Sequence, residues 1–456
     1  MPPIHLHKVE IFLILQLLLR SMNKQILRLT LPNIITNITV PLLGMVDLAI
    51  VGHIGDASHI GAIALGTTIF NLIYWNFGFL RMGTSGLTAQ AYGANNTDES
   101  LRILVRGITI ALSAALLLLL LQTPIAALAR RLMHRSEQII ALTLTYFYVR
   151  IWAAPATLGL YVLKGWFIGM QDSRTPMVIA ILLNIVNILF SLLFVIVFHM
   201  DIAGVALGTV LAQYSGLLMA IGCWFYKYGH LRRQINIRES LHWEDMKRFF
   251  HLNSDIFLRT LCLVAVFAFI PFISYHMGDD ILAANTLLMQ LFTLFSYIMD
   301  GFAYAGEALV GRFIGADDEP SLRKVIRYLI YWGCGLTALF TVLYIFYGEW
   351  ILRILTDKGE VISTAMNYMK WTAAVPIAGF AAFLFDGIYI GATASKAMRN
   401  IMFIATAVFF GGYYCLSPSL GNDGLWIAFL LFLVFRGGLM WIACGRVITT
   451  HAKFSH

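Results

Sequence analysis

Apolar segments recur along the whole chain, and each is long enough to cross a lipid bilayer as a helix. A helix needs about 20 mostly apolar residues to span the hydrocarbon core. Twelve segments meet this requirement, over residues 27–52, 60–82, 103–123, 140–169, 177–198, 202–226, 255–276, 281–304, 325–347, 361–392, 401–417 and 424–446. The sequence therefore predicts an all-α integral membrane protein with twelve transmembrane helices.

The charged residues are few and lie between these segments. Of the 456 residues, 59% are hydrophobic and 12% are charged, whereas a soluble domain carries about 25% charged residues. The net charge of +8 comes from short basic clusters in loops, a pattern typical of the positive-inside rule rather than of a phosphate-binding stripe. We expect contact with membrane lipid and no nucleic-acid partner.

Alternate loops differ in their content of lysine and arginine. With the N-terminus inside, about 19 of these residues lie on the inner side and about five on the outer side. Three of the exceptions, Arg130, Arg131 and Arg135, share one loop. The bias predicts a multi-pass protein of the inner (plasma) membrane with both termini in the cytoplasm.

Residues 1–22 form an N-terminal extension of doubtful role. The apolar stretch from Ile11 to Leu19 is too short to span a bilayer, and no small-residue cleavage site follows it. Met22 opens a polar stretch that is a plausible cytoplasmic lead into the first span. We interpret residues 1–21 as an upstream extension or an interfacial segment.

The two halves of the chain resemble each other at a fixed offset of 222 positions. Gly165–Gly169 (G-W-F-I-G) recurs as Gly387–Gly391 (G-I-Y-I-G), and two further residue pairs, at 93–94 and 33–34, recur at 315–316 and 255–256. Six spans per half imply a pseudo-two-fold axis along the membrane normal and a cavity between two lobes. The predicted units are an N-lobe (23–226), a basic cytoplasmic linker (227–251), a C-lobe (252–446) and a cytoplasmic tail (447–456).

The chain lacks the motifs of an enzyme. It contains no phosphate loop of the G-x-x-x-x-G-K-[S/T] type, no H-E-x-x-H and no G-x-S-x-G. The five cysteines stand singly, without a C-x-x-C, which favours neither a disulfide framework nor a zinc site. We therefore expect no cofactor and no catalytic activity, and an ion gradient would supply the energy for uphill transport.

The first span contains one acid, Asp47, and its only other charged residue is Arg28 at its start. A charged residue at mid-membrane is costly and is a functional candidate by default. Burial disfavours the charged form of a carboxyl, so such a group can hold a proton or a cationic substrate in turn. In the fifth span Asn184 and Asn187 share a helical face, where their amides would either complete a polar pocket around Asp47 or link helices.

The second half contains several ionisable residues within its spans. Asp255 and Arg259 are four positions apart and predict a local ion pair. Asp300 and Glu307 are two turns apart on one face. With these we group the remaining acid and arginine of the C-lobe spans, Asp386 and Arg436. The pattern fits a second ion or substrate site, a gate network, or a structural role.

Four stretches carry a family resemblance that spans nearly the whole chain from about residue 23. They are L-P-N-I-I-T-N-I-T-V-P-L-L-G-M-V-D-L-A-I-V-G-H, F-L-R-M-G-T-S-G-L-T-A-Q-A-Y-G-A, M-D-G-F-A-Y-A-G-E-A-L-V-G and F-D-G-I-Y-I-G-A-T, with M-R-N at 398–400. They resemble the multidrug and toxic compound extrusion (MATE) transporters, within them the DinF-like branch.

This resemblance implies a V-shaped, twelve-helix exporter of organic cations and other amphipathic toxins. It also implies that Asp47 is the coupling carboxylate of the N-lobe and that Asn187 is its polar partner. Several DinF-like members have an acid where this chain has Ser191, which places more weight on Asp47. Because other branches bind sodium in the spans of Asp255 and Asp386, sodium remains an alternative to the proton, and no other metal is expected.

The leading interpretation is a monomeric proton antiporter that exports small cationic or amphipathic molecules by alternating access. Its alternatives are a sodium-coupled antiporter of the same family and a flippase for lipid-linked precursors. A flippase for anionic lipids should have several cavity arginines, and we expect few within the spans, chiefly Arg150, Arg259 and Arg436. A membrane-embedded enzyme or a receptor is disfavoured by the duplicated lobes and their buried acids.

Overall fold

The computed structural model describes residues 22–39, 57–133 and 136–452, together with Pro41, Gly44, Asp47 and Ile50. Side chains are described as far as residue 446. The expectations for residues 1–21 and for Arg135 lie outside this part of the chain, as does most of the predicted tail. The described residues form helices joined by short turns, with no strand among them.

The first helix, α1, covers residues 22–39 and remains helical at the four described positions beyond them. The helices that follow are α2 (Ala57–Asn76), α3 (Phe79–Gly93), α4 (Thr97–Leu120), α5 (Gln122–Leu132), α6 (Glu137–Arg150), α7 (Ala154–Gly169), α8 (Arg174–Leu192), α9 (Asp201–Tyr228), α10 (Ile237–Ser240), α11 (Trp243–Met277), α12 (Asp279–Gly315), α13 (Glu319–Leu355), α14 (Gly359–Gly391), α15 (Ser395–Leu420) and α16 (Asn422–Ala452). A π-helical turn, Leu193–Val197, extends α8.

Eleven spans in the described part of the chain are long and apolar enough to cross a membrane. They match the second to twelfth predicted spans, with α2 and α3 forming one span and α6 and α7 another. The first predicted span, 27–52, coincides with α1 and lies only partly within the described residues. Helices run past the predicted edges: the span predicted over 281–304 continues to Gly315, because Glu307 and Arg312 interrupt the apolar run but not the helix.

The predicted duplication is visible in the helix ends. The α3–α4 turn contains Asn95 at φ 53°, and the α12–α13 turn contains Asp317, 222 positions later, at φ 53°. The next residue caps the following helix in both turns: the Asn96 side chain accepts a hydrogen bond from the Glu99 N–H at 2.9 Å, and Asp318 accepts one from Ser321 at 3.0 Å. Side-chain caps and left-handed residues end helices in a defined direction, so both halves have the same backbone path.

Glycines allow the helices to approach at one end of the bundle. A Cβ at Gly165 in α7 would clash with the Arg81 carbonyl of α3, and one at Gly387 in α14 would clash with the equivalent Ala303 carbonyl of α12. Across the two lobes, Gly93 faces the carbonyl of Arg312, and reciprocally Gly315 faces that of Gln90. We call this end, where α3, α7, α12 and α14 finish, the closed end.

Each lobe has its own apolar core, and the start of α1 (Met22, Ile26 and Leu29) packs into that of the C-lobe. α3 also joins the lobes by packing against α12. Side-chain amides add hydrogen bonds across the junction at the closed end. Gln90 Nε2 donates to the Gly391 carbonyl at 2.9 Å, and Gln171 Nε2 donates to the Ala308 carbonyl at 2.8 Å. The predicted linker 227–251 is largely helical, since α9 ends at Tyr228 and α11 begins at Trp243.

Candidate functional site

In the N-lobe, Asp47 of α1 is buried, with 2% of its surface exposed. Its Oδ2 accepts a long hydrogen bond of 3.4 Å from the Thr209 hydroxyl of α9. Asn187 Nδ2 of α8 donates to the same hydroxyl at 3.0 Å. The other carboxyl oxygen, Oδ1, is buried without a hydrogen-bond partner. Because buried polar atoms are nearly always paired, this oxygen is available to a proton or a ligand.

Two further side chains face this carboxyl group. Ser191 of α8 lies beside Asp47, although its hydroxyl makes no well-formed hydrogen bond. The positive charge of Arg150, at the end of α6, also acts on Asp47. The Arg150 guanidinium donates to the Tyr146 hydroxyl and lies 5.0 Å from the centre of the Phe70 ring. Asp47 is thus surrounded by hydroxyls, an amide and one distant cation.

The two asparagines of α8 have different surroundings. Asn187 belongs to the Asp47 group, whereas Asn184 Nδ2 donates to the Thr39 carbonyl of α1 at 2.9 Å. The contact of Asn184 is therefore one that links two helices. The sequence left two roles open for this pair, a polar pocket around Asp47 and a link between helices. Asn187 makes the contact expected for the first role and Asn184 the contact expected for the second.

In the C-lobe, Asp386 of α14 lies between two arginines. Arg259 of α11 and Arg436 of α16 both donate to its Oδ2. All three residues are buried. One carboxylate between two guanidiniums makes charge-assisted hydrogen bonds to both and can neutralise only one of them.

The ion pair expected within α11 between Asp255 and Arg259 is wrong. Asp255 instead binds two residues of α15, Arg399 Nη1 at 2.5 Å and Ser395 Oγ at 3.0 Å. Arg259 lies one turn further from the closed end, where its long side chain reaches the buried Asp386 of α14. Tertiary partners with deeper burial outcompete the exposed local pair, which is worth only a few tenths of a kcal/mol.

The two acids of α12 face different groups. Glu307, with 1% of its side chain exposed, pairs with Arg81 of α3 at 3.2 Å, and Arg81 also lies 4.1 Å from the Tyr304 ring centre. This is an ion pair between the lobes. Asp300 lies in the field of Asp386 and of Arg81, Arg259 and Arg436, and no hydrogen bond to its carboxyl group is found within the described residues.

Sequence reasoning missed three residues of these groups. Arg81 stands at the edge of the predicted span 60–82, where a charged residue is not unusual. The helix continues to Gly93, so Arg81 lies further inside it than the apolar run indicates. Lys164 lies in the field of Arg81, in α7 among apolar residues, and an isolated lysine there was a readable signal. Thr209 gave none, since one hydroxyl in an apolar span is common.

Two six-helix lobes with buried, charged groups between and within them define the class: a multi-pass membrane transporter. Within the described residues no group of His, Cys, Asp and Glu side chains could hold a metal ion. The MatE family model matches residues 32–193 and 256–410, one segment in each lobe. The chain therefore belongs to the MatE family, which confirms the predicted family and fold.

Relatives and solved structures agree with this assignment. DNA damage-inducible protein F of Escherichia coli K12 is 39% identical over 420 residues, covering 92% of this chain and 91% of that protein. Multidrug resistance protein MdtK of Yersinia enterocolitica is 22% identical, covering 91% and 94%. The structure of the Vibrio cholerae MATE transporter VcmN in its bent form has a TM-score of 0.81 at 19% identity, covering 95% and 98%, and supports the fold.

Proposed function

We propose that this protein is a secondary active multidrug efflux antiporter that exports organic cations or amphipathic toxins in exchange for protons. The observation that carries the proposal is the surroundings of Asp47: a buried carboxyl with one unpartnered oxygen and only one weak hydrogen bond. The membership of the family and the name of its relative MdtK support efflux of drugs. The orientation we propose places the closed end and both termini in the cytoplasm of a plasma-membrane monomer.

Asp47 can change its protonation state because its carboxyl group makes only one long hydrogen bond and no ion pair within the described residues. Neither state of the group has a full set of partners, so a proton and a cation compete for one site. In the deprotonated state the carboxylate attracts a cationic solute, and on the outer side a proton displaces that solute. Rocking of the lobes about the α3–α12 contact exposes the site alternately. For a neutral solute, one proton crossing 100 mV supplies about 2.3 kcal/mol, or roughly fifty-fold concentration. Exchange of one proton for one monovalent cation moves no net charge, so the pH difference alone drives it.

Sodium coupling is the first alternative, and the C-lobe contacts argue against it. A sodium ion at Asp255 or Asp386 would need to displace guanidinium groups that already neutralise these carboxylates. Sodium also prefers several oxygen ligands, and cations repel each other at close range. The acids left for it are Asp300 and Glu307, of which Glu307 is paired with Arg81.

A flippase for anionic lipids is the second alternative. The spans hold more buried cations than expected, with Arg81 and Lys164 added to the predicted arginines. However, Arg81, Arg259 and Arg436 each bind a carboxylate within the protein. Two carboxylates thus leave one net positive charge on these three arginines, less than a pyrophosphate requires, and export of smaller solutes is favoured.

The test is transport of ethidium by the protein reconstituted in liposomes, driven by a pH gradient and, separately, by a sodium gradient. We expect transport with the pH gradient, and a loss of at least tenfold in Asp47→Asn. Asp201→Asn is the matched control, because it makes the same chemical change at an exposed site in the same lobe.

Asp255→Asn and Asp386→Asn complete the set. Transport driven only by sodium, unchanged in Asp47→Asn and lost in these two variants, would contradict the proton mechanism. Absence of ethidium transport under both gradients, with export of an anionic lipid analogue instead, would favour the flippase.

A further inference from the structure

A cavity of about 420 Å³ lies at the closed end, outside the buried groups described above. It is bounded by the start of α1, the turn between α7 and α8, the end of α9 and the last turns of α12. Four basic side chains line it: Arg28, Arg174, Lys227 and Arg312. Three of them belong to the N-lobe, and Arg312 belongs to the C-lobe.

Among the described residues that line this cavity, the one acid is Asp172. Lys227 Nζ binds its carboxylate at 2.7 Å. Burial acts to raise the pKa of Asp172, but hydrogen bonds from Lys227 and Thr175 outweigh it and hold that pKa below its ordinary value. Asp172 is therefore charged at neutral pH and neutralises Lys227.

The three guanidiniums have no such partner. Within the described residues no carboxylate lies at salt-bridge distance from Arg28, Arg174 or Arg312. Arg312 lies 5.8 Å from the ring centre of Tyr92, at the cavity wall. Three positive charges without a carboxylate partner in the described part of the chain therefore line one cavity. Arg28 and Arg174 are exposed, so solvent screens part of their repulsion, and an anion bound between them would neutralise it.

Other basic residues also lie at this end of the bundle, as the positive-inside rule requires, but the arginine cluster is not repeated in full in the other lobe. The positions equivalent to Arg28, Arg174 and Arg312, at the offset of 222, hold Phe250, Lys396 and Gln90. The positive-inside rule acts on loops of both lobes alike. A cluster of arginines in one copy of a duplicated turn therefore points to a ligand.

The chemistry of the cluster selects a phosphoryl anion. Guanidinium groups bind phosphate oxygens in pairs with defined geometry. The site lies where the spans end, at the level of lipid phosphates. Basic pockets between transmembrane helices at this level bind anionic headgroups.

We propose that this cavity binds the phosphate of an anionic phospholipid and thereby links the two lobes at the closed end. Arg28 and Arg174 hold the phosphate from the N-lobe and Arg312 holds it from the C-lobe. The lipid then acts beside the hydrogen bond from Gln171 to the Ala308 carbonyl. Its binding stabilises the conformation in which this end is closed, because the three arginines line one cavity in that conformation.

The experiment is native mass spectrometry of the delipidated full chain titrated with phosphatidylglycerol or phosphatidylcholine. We expect one tightly retained phosphatidylglycerol, at least tenfold preferred over phosphatidylcholine, and a loss of that preference by at least fivefold in Arg174→Gln and Arg312→Gln. Lys396→Gln is the matched control, since it removes one exposed positive charge at the equivalent position of the other lobe, and its binding should equal that of wild type. Thermal unfolding of each variant without lipid verifies that it is folded.

A second arm adds inorganic phosphate and glycerol phosphate as competitors. Failure of both to displace the lipid at millimolar concentration supports the phospholipid, whereas binding of these anions without any lipid preference would overturn it in favour of a soluble phosphoryl ligand. If Lys396→Gln lowered the preference for phosphatidylglycerol as much as Arg312→Gln, the lipid would be held by general surface charge and the proposed site would be wrong. The result is independent of the ethidium assay, because lipid binding requires neither transport nor Asp47.

Discussion

In the N-lobe the buried Asp47 meets hydroxyls and an amide, whereas in the C-lobe the buried Asp386 meets two guanidiniums. The two acids do not occupy equivalent positions: at the offset of 222, Asp47 corresponds to Phe269 and Asp386 to Lys164. The two lobes nevertheless share turns and glycine contacts 222 positions apart, so a common backbone pattern carries its buried acid at a different place in each lobe. The buried acid of the N-lobe has no cationic hydrogen-bond partner and that of the C-lobe has two, so the two lobes can divide proton exchange from structural support.

The largest effect is expected from neutralising the acid of the C-lobe. Asp386→Asn leaves Arg259 and Arg436 buried without a counter-charge, and breaking a buried pair in this way costs about 3–5 kcal/mol. Asp47→Asn removes one long hydrogen bond and should cost at most about 1 kcal/mol. Thermal or denaturant unfolding of both variants in detergent measures the contrast.

A control covers the case in which Asp386→Asn does not fold. Adding Arg259→Met removes one of the two unpaired charges, so the double variant should be more stable than Asp386→Asn alone. Equal losses of stability in Asp47→Asn and Asp386→Asn would mean that the two acids are held alike, contrary to the comparison.

The backbone symmetry makes the opposite prediction, namely equal effects in the two lobes. Gly165→Ala and Gly387→Ala each place a methyl group against the carbonyl of a packed helix, and such overpacking costs about 1–3 kcal/mol. The midpoints of thermal unfolding should fall by similar amounts. Gly222→Ala and Gly411→Ala are matched controls, one per lobe, because a Cβ at either position meets open space, and alanine there should be neutral or stabilising. A loss confined to one lobe would break the equivalence.

The smallest effect concerns Asp172, whose equivalent in the C-lobe is Ala394. Because its folded pKa is lowered, its contribution is complete above the ordinary carboxyl pKa of about 3.9 and is lost as the pH falls through the lower folded pKa. The exposure of Lys227 limits this contribution to about 0.5–1 kcal/mol. Thermal unfolding between pH 3 and 7 should show a difference between wild type and Asp172→Asn that shrinks at acid pH, with Asp98→Asn as an exposed control. If the stability difference between wild type and Asp172→Asn grew as the pH fell, the pKa of Asp172 would be raised rather than lowered on folding.

Much of the fold was predictable because the membrane restricts the solutions. Long apolar runs become helices, and repeated glycine motifs reveal a duplication without any structure. Helix ends were less predictable, as at Arg81 and Glu307, because hydropathy marks where a helix meets a polar environment and not where hydrogen bonding along the backbone stops.

The site was predictable only in its isolated members. Asp47 was recognisable because a single acid stands in an apolar span. The partners of Asp255, Arg259 and Asp386 come from helices far apart in the sequence, so spacing along one helix suggested the wrong pair. Contacts between distant segments depend on how the helices pack, and the spacing of residues along one helix does not predict that packing.

The ion pair between Arg81 and Glu307 has a further consequence for how such a chain arises. At the offset of 222, the position equivalent to Arg81 holds Ala303 and the position equivalent to Glu307 holds Ser85, neither of which is charged. A symmetric dimer of identical six-helix halves would repeat every contact, so an arginine on one side would always face the same residue as its copy does. A single ion pair between one arginine and one glutamate therefore requires two halves with different sequences. When both halves belong to one chain, they are always produced in equal amounts.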